Sequence, residues 1–400
     1  MARIHCRTGF RSYALSMCAL ALMSATSLLT GCGSFFSCEG KASCPTAPPS
    51  GTPGTPATPG TSRTDFAYVS NGATGNTFVS GYDLTSGTLI AATNSPFSFG
   101  YSPSAMVINP ANTYMYVATD STLSAGVGYI YAYGIGTGGT LSILSGGSPL
   151  ENESVTSLDI SPDGHWLFAL DTNGLTLEEY SIDTATGALA FAATYGITGA
   201  VNGLITPSAV KVAPTGDYLV VAMGTGGAET FSLNTTTGAA SATTLISPAT
   251  ASSGIYAATA DGNHHLYCAG TAGLQVFSTT TTGVPTLMKT YTAGNGAHSV
   301  VINNAATNVY VGNQTDSTIS GYAIDTTAAL SPLTGSPFAA PTTVNALSID
   351  STQAYLIASG YNSTSGVQLF KIGSAGALTS GASAGSGTVT AIPGAIAVTH

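Results

Sequence analysis

Histidine is the residue type best suited to acid–base chemistry near neutral pH, because its side chain titrates there. The 400-residue chain has six histidines. One of them, His298, stands near the start of an apolar β-like run in the stretch AHSVVINN from Ala297. A histidine held there can act as a general base for the attack of water on an ester. The alternative is that His298 is only one polar residue among small polar neighbours.

Other residue patterns that define a chemistry are missing. The sequence contains no HxH or HExxH pair and no calcium-binding loop of alternating acids, so it predicts no metal site and no cofactor. Glu178 and Glu179 are adjacent in a β-like run, where successive side chains point to opposite faces. These two carboxylates are therefore not expected to act as a catalytic pair.

The charge distribution argues against a nucleic-acid partner. Charged residues are only 6% of the chain, against about 25% in an ordinary domain. From Asp65 to His400, three lysines stand against seventeen acidic residues, a formal net charge of −14. A nucleic-acid-binding face needs several Lys or Arg side chains together, and these three lysines are scattered.

Residues 1–31 are predicted to be a lipoprotein signal peptide. Three arginines precede a mostly apolar run, from Tyr13 to Leu29, that is short for a membrane-spanning helix. The run ends in LTGC, which resembles the bacterial lipobox. That resemblance implies cleavage before Cys32 and lipid attachment to its sulfur, and Gly33 after it favours the outer membrane. The alternative is an ordinary signal peptide followed by a chance cysteine.

Residues 32–64 are predicted to tether a domain that spans residues 65–400. Cys38 and Cys44 lie close together and can pair as a disulfide in an oxidising compartment. From Cys44 to Arg63 the chain is rich in Pro, Thr and Gly, which is typical of a semi-extended spacer. The protein is therefore expected to be exported and lipid-anchored, with the membrane as one partner.

A recurring phrase organises residues 65–400. Each copy has a small residue at its start, a β-like run, a turn, and a second run with an aromatic residue. Each copy holds four β-like runs, and successive copies begin 44–52 residues apart, which is the pattern of β-propeller blades. A sheet array with so many strands needs to close into a ring to remove its exposed edges. The copies begin at Pro103, Val155, Pro207, Ser253, Ala297, Val344 and Pro393.

The seventh copy is split between the two ends of the chain. The segment 66–100 supplies the second, third and fourth runs of a copy, and PGAIAVTH from Pro393 supplies only a first run. The stretch from Val79 to Gly100 also repeats near the other end, from Ile319 to Ala340, with SGY and SPF as shared landmarks. The predicted fold is all-β, a seven-bladed β-propeller of four-stranded antiparallel blades, closed by N- and C-terminal segments that share one blade.

The second runs AYVSN, MYVAT and VYVGN, which begin at Ala67, Met115 and Val309, resemble the YVTN repeat. The arrangement over residues 66–400 is similar to the lactonase-like seven-bladed propellers, the family of 6-phosphogluconolactonase. The resemblance implies one candidate function, a lactonase-type hydrolase that acts on a lactone or ester. Enzymes of that family share a Pro-Arg-His signature where a first strand faces the central channel.

No copy carries that Arg-His pair, which favours a binding or scaffold module for a saccharide or a protein over the hydrolase. His298 remains the one candidate catalytic residue, and Ser104, Thr156, Ser208 and Asn345 are candidates at the channel rim. The arginine position of the signature falls on Ser104, Thr156, Ser208, Gly254, His298, Asn345 and Gly394.

Overall fold

The fold is described from a computed structural model. The structure describes residues 65–71, 77–119, 128–145, 148–150, 154–199, 204–250, 253–340, 343–360, 366–385 and 393–400. Within these ranges the chain forms strands β1–β31, numbered in chain order, and a 3₁₀ turn at Thr137–Gly139. No helix in the same ranges is long and apolar enough to cross a membrane. Cys32, Cys38 and Cys44 lie outside the described residues, so their roles stay predictions.

The first four blades are antiparallel sheets built from consecutive strands. In blade 1 the fourth position is divided between two short strands. Blade 1 contains β5 (Pro103–Ile108), β6 (Tyr114–Thr119), β7 (Gly128–Ile135), β8 (Leu141–Ile143) and β9 (Ser148–Leu150). Blade 2 contains β10 (Val155–Ile160), β11 (Trp166–Asp171), β12 (Thr176–Ile182) and β13 (Leu189–Gly196). Blade 3 contains β14 (Ala209–Val212), β15 (Tyr218–Ala222), β16 (Ala228–Leu233) and β17 (Ala240–Ile246), and blade 4 contains β18 (Ile255–Ala260), β19 (His265–Gly270), β20 (Gly273–Thr279) and β21 (Pro285–Tyr291).

The remaining three blades include the one that joins the chain ends. Blade 5 contains β22 (Ala297–Ile302), β23 (Asn308–Asn313), β24 (Thr318–Ile324), β25 (Leu330–Pro332) and β26 (Phe338–Ala339), and blade 6 contains β27 (Ala346–Ile349), β28 (Tyr355–Ser359), β29 (Val367–Ile372) and β30 (Leu378–Ala384). Blade 7 contains β31 (Pro393–Val398), β1 (Phe66–Asn71), β2 (Phe78–Asp83), β3 (Ile90–Ala91) and β4 (Phe97–Ser98).

The predicted closure of the ring by the chain ends is confirmed. Strand β31 pairs with β1, with Tyr68 opposite Ala397. The pair is locked at its end by Thr399, whose Oγ1 accepts from Phe66 N at 2.9 Å and whose N–H donates to Phe66 O at 3.0 Å. Each first strand contacts the first strand of the next blade, in the order β5, β10, β14, β18, β22, β27, β31 and back to β5. The all-β, seven-bladed propeller predicted from the sequence is therefore confirmed.

The two copies of the SGY…SPF phrase form the same outer-strand arrangement in blades 7 and 5, where the third strand pairs with two short strands. Gly81 N–H donates to Ser95 Oγ at 2.9 Å, and Gly321 N–H donates to Ser336 Oγ at the same distance. A Cβ on Gly81 would lie 2.8 Å from the ring of Phe97, which shows why this position is a glycine. The phrase is repeated because in each copy the phenylalanine of the last outer strand packs against the glycine of the third strand, Phe97 on Gly81 and Phe338 on Gly321.

Tyrosines join neighbouring blades through one recurring hydrogen bond. In blades 7, 1 and 5, the third residue of the second strand is a tyrosine whose hydroxyl donates to a glycine carbonyl in the third turn of the next blade. Phe168 occupies that position in blade 2, has no hydroxyl to donate, and lines a cavity of about 120 Å³ beside Trp166 and Gly238. The hydrogen bonds run from Tyr68 to Gly139 (2.9 Å), Tyr116 to Gly187 (3.0 Å) and Tyr310 to Gly376 (2.7 Å).

Candidate functional site

The rim candidates lie at one end of the innermost strands, where the strands bulge. In blade 5 the pairing of β22 steps from Ala297 to Ser299, so His298 is left between paired positions. A β-bulge of this kind leaves one residue unpaired and re-aims its side chain. Blades 1 and 2 have the same shift at Ser104 and Thr156.

The rim position of blade 4 is Tyr256, which corrects the sequence assignment of Gly254. Ile255 pairs with Gly270 and Ala257 pairs with Ala269, so the bulge falls on Tyr256. The small Ser253–Gly254 pair resembles the small-residue start of the other copies, and this displaced the alignment. The structural register gives seven equivalent positions, called the channel rim: Ser104, Thr156, Ser208, Tyr256, His298, Asn345 and Gly394.

The structure brings Tyr256 and His298 together across the interface of blades 4 and 5. Their rings stack with centroids 5.4 Å apart and planes inclined by 13°. Both side chains are partly exposed. The stack is an aromatic platform at the rim, and it was missed from the sequence because the rim position of blade 4 was placed two residues too early, at Gly254.

Burial lowers the pKa of His298, and its own backbone partly offsets this effect. The imidazole is therefore neutral at neutral pH and able to accept a proton. Among the described residues, no carboxylate forms an ion pair with it. A general base usually needs such a group to orient the ring and to stabilise the imidazolium that forms. His298 thus has the protonation state of a base without the supporting carboxylate.

Three of the other rim candidates hold neighbouring blades together. Thr156 Oγ1 donates to Pro207 O at 3.4 Å, and Ser208 Oγ donates to Tyr256 O at 2.8 Å. Asn345 accepts at its Oδ1 from Gln314 Nε2 at 2.6 Å. Ser104 Oγ is buried and has no hydrogen-bond partner within the described part of the chain. The polar side chains of the rim are therefore neutral, and three of them form hydrogen bonds between neighbouring blades.

Other titratable residues are paired with one another, away from His298. Lys211 Nζ lies 3.2 Å from Asp159 Oδ1, three residues along the first strands from the rim. His265 Nδ1 lies 2.9 Å from Asp261 Oδ2, so this turn histidine is engaged by a carboxylate and is not simply solvated. In the described ranges, no three His, Cys, Asp or Glu residues come together as a metal site.

The remaining sequence patterns with a chemical meaning have structural roles. Glu178 accepts from Thr194 Oγ1 at 3.0 Å and Glu179 accepts from the Tyr195 hydroxyl at 2.5 Å, so the adjacent carboxylates bind different partners. Burial raises the pKa of both.

The stretch GASAG, which ends at Gly385, matches the spacing of a nucleophile elbow. Its serine lies in outer strand β30 and not at a strand-to-helix turn, so it cannot be presented as such a nucleophile.

Comparisons with known proteins agree on the fold. Neither a protein-family profile nor a curated protein matches the sequence. The structure resembles the periplasmic gluconolactonase of Pseudomonas aeruginosa, with a TM-score of 0.68 and 14% identity over 84% of this chain and 99% of that one. This chain has the lactonase-like seven-bladed propeller fold.

Two further solved structures resemble this propeller over their whole length. One is a Bacteroides fragilis protein provisionally assigned as a 6-phosphogluconolactonase, with a TM-score of 0.66, 14% identity, and coverage of 86% of this chain and 100% of that one. The other is a Lactobacillus plantarum protein, with a TM-score of 0.68, 15% identity, and coverage of 84% and 100%. The resemblance to lactonase-like propellers that was inferred from the repeats is confirmed for the fold.

Proposed function

We propose that this protein is an exported, membrane-tethered propeller whose channel rim binds a saccharide or a protein. The observation that carries the proposal is the composition of the rim: neutral hydrogen-bonding groups around one stack, formed by Tyr256 and His298. Binding sites typically combine an aromatic surface with a few polar groups that fix the orientation of the ligand. A saccharide presents both C–H faces and hydroxyls, which match these two components.

The charge of the domain supports a neutral ligand. A formal net charge of −14 over residues 65–400 repels anions as they approach. A phosphorylated sugar would need cations or a helix N-terminus to hold its phosphate. The seven rim positions contain no Lys or Arg.

The topology of blade 7 sets the rim apart from the start of β1. The rim residue Gly394 is at the start of β31, whereas Thr399 at its end binds Phe66, the first residue of β1. Asp65, the first described residue of the propeller, therefore lies at the end opposite the rim. The proposed function uses the rim end as the ligand-binding end.

A hydrolase acting on a neutral lactone or ester is the second candidate. The observation in its favour is the partly buried, neutral imidazole of His298. Against it stands the absence of a carboxylate partner among the described residues. Electrostatic support of the charge that develops is usually a large part of such catalysis.

Two measurements on the purified mature protein separate the candidates. Binding to a glycan array should fall at least tenfold in Tyr256→Ala and stay unchanged in Phe191→Ala, which removes an exposed aromatic of outer strand β13. Binding that is indifferent to Tyr256→Ala would exclude the rim as the glycan site. In parallel, hydrolysis of δ-gluconolactone should match the spontaneous rate. Turnover that is lost in His298→Ala would establish the hydrolase instead.

A further inference from the structure

A surface cleft of about 280 Å³ lies in blade 4, on the same end of the propeller as the rim. One wall is the turn between β19 and β20, at Thr271 and Ala272. The other wall is the end of β21 and the segment that leads to β22, from Thr290 to Gly296. The volume equals that of roughly nine water molecules at about 30 Å³ each, which suits one sugar ring.

Glycines form much of the cleft because its walls approach one another closely. Gly273 has φ +101°, and a Cβ on it would overlap the carbonyl of Tyr291. A Cβ on Gly294 would lie 2.7 Å from the Asn313 side chain. The lining of the cleft also includes the exposed residues Thr290 and Thr292, whose side chains carry hydroxyls.

The lining of the cleft is polar but uncharged. The lining residue Asn295 donates to the carboxylate of Asp316, from its N at 2.7 Å and its Nδ2 at 3.0 Å. Lys289, which precedes the lining residue Thr290, has its Nζ 4.8 Å from the centroid of the Tyr291 ring. Behind Gly294, Asn313 is fully buried, and its Oδ1 has no hydrogen-bond partner within the described residues. Such a cleft favours neutral hydroxyls over ionic groups.

The walls of the cleft are joined through the backbone to the strands that carry Tyr256 and His298. Thr271 exchanges two hydrogen bonds with Gly254: its Oγ1 accepts at 2.8 Å and its N–H donates at 3.0 Å. Gly254 is two residues before Tyr256, and Gly296 is two residues before His298. The two walls of the cleft thus lead into the two strands that carry the stack.

We propose that this cleft binds one ring of a neutral saccharide, whose next ring lies against Tyr256 and His298. The proposal rests on the rim function proposed above and names the ligand class and a second subsite. It predicts that a monosaccharide is held by the cleft and that a disaccharide gains affinity from the stack.

The test uses the purified mature protein, calorimetry, and defined probes. The neutral probes are glucose, N-acetylglucosamine, maltose and cellobiose, and the charged probe is glucose 6-phosphate. Thr290→Val combined with Thr292→Val removes two hydroxyls with little change in volume. Thr235→Val is the matched control, because Thr235 lines the separate cavity between blades 2 and 3.

At least one neutral monosaccharide should bind, and the double threonine variant should weaken its Kd at least tenfold, as expected for the loss of neutral hydrogen bonds. Thr235→Val should change Kd less than twofold, and Tyr256→Ala should abolish only the extra affinity of the disaccharide. Glucose 6-phosphate binding as tightly as glucose would overturn the proposal, as would an unchanged Kd in the double variant. If Tyr256→Ala abolishes all binding while the threonine variant does not, the rim function stands and the cleft is not a subsite.

Discussion

A buried pair of carboxyl groups at the ring closure should make stability depend on pH. Asp65 precedes β1 and contacts Asp350 of blade 6, and the two residues are 6% and 0% exposed. Ser351 donates to Asp65 Oδ1 from its N–H at 3.2 Å and its Oγ at 2.9 Å. Burial first, and then the hydrogen bond and charge of Asp350, raise the pKa of Asp65 to about 6. Two carboxyls in contact favour a shared proton because two adjacent negative charges repel.

The sign of the effect follows from proton binding. In the unfolded chain an aspartate has a pKa of about 3.9, so between pH 4 and 6 the folded protein holds this proton more tightly. The stabilisation is complete below about pH 4 and is lost as the pH rises through about 6. A rise of about two pKa units corresponds to at most about 3 kcal/mol of unfolding free energy.

Asp65→Asn is the informative change, because the amide is neutral at every pH. Its oxygen can accept from Ser351 and its Nδ2 can donate to Asp350. Relative to the wild type, the variant should gain stability from near zero at pH 4 to about 2–3 kcal/mol at pH 7.5. Guanidinium unfolding at half-unit pH steps measures this difference. Asp325→Asn is the control, since hydrogen bonds from Thr327 lower the pKa of that exposed carboxyl and place its effect below pH 4.

Taking differences between variant and wild type removes the contribution of other carboxyls, including Glu178 and Glu179, whose pKa values are also raised by burial. Asp350→Asn should reduce the same pH dependence without abolishing it, because it removes the contribution of Asp350 while burial, the larger cause of the raised pKa of Asp65, remains. If neither variant changes the slope between pH 4.5 and 7.5, the pair shares no proton in the folded protein and the reasoning is refuted.

Four further outcomes are expected. Phe168→Tyr should raise the unfolding free energy by about 1 kcal/mol in thermal melts, because its hydroxyl can reach the Gly238 carbonyl as tyrosines do in other blades; an unchanged or lower melting temperature would contradict this. Gly238→Ala should destabilise by several kcal/mol, because φ is +76° and its Cβ would overlap the neighbouring indole, whereas Gly262→Ala meets nothing within 4 Å and should be nearly neutral. Deletion of β31 should cost several kcal/mol by exposing an inner sheet edge, and equal melting temperatures would disprove the closure. Cys32→Ala should release the protein from the membrane fraction, and an unmodified Cys32 in the mass spectrum of mature wild type would rule out the anchor.

The local repeat made the fold predictable from the sequence. Each blade buries the same positions of its strands, so the apolar runs, the turn residues and the SGY…SPF phrase recur with the blade period. A first run at Pro393 with no successor, and later runs from Phe66 with no predecessor, were enough to assign the closing blade. These features follow from pairing and burial within a single blade, which sequence periodicity records directly.

The site depended on contacts that only the closed ring creates. In blade 4 the small Ser253–Gly254 pair precedes the first strand and resembles the start of the other copies, so the sequence alignment placed the rim at Gly254, two residues before Tyr256. The stack with His298 and the carboxyl pair of Asp65 and Asp350 join residues from different blades, and the hydrogen bond from Ser351 to Asp65 spans 286 positions. Periodicity specifies which side chains a blade buries, whereas the curvature of the ring determines which side chains of neighbouring blades meet.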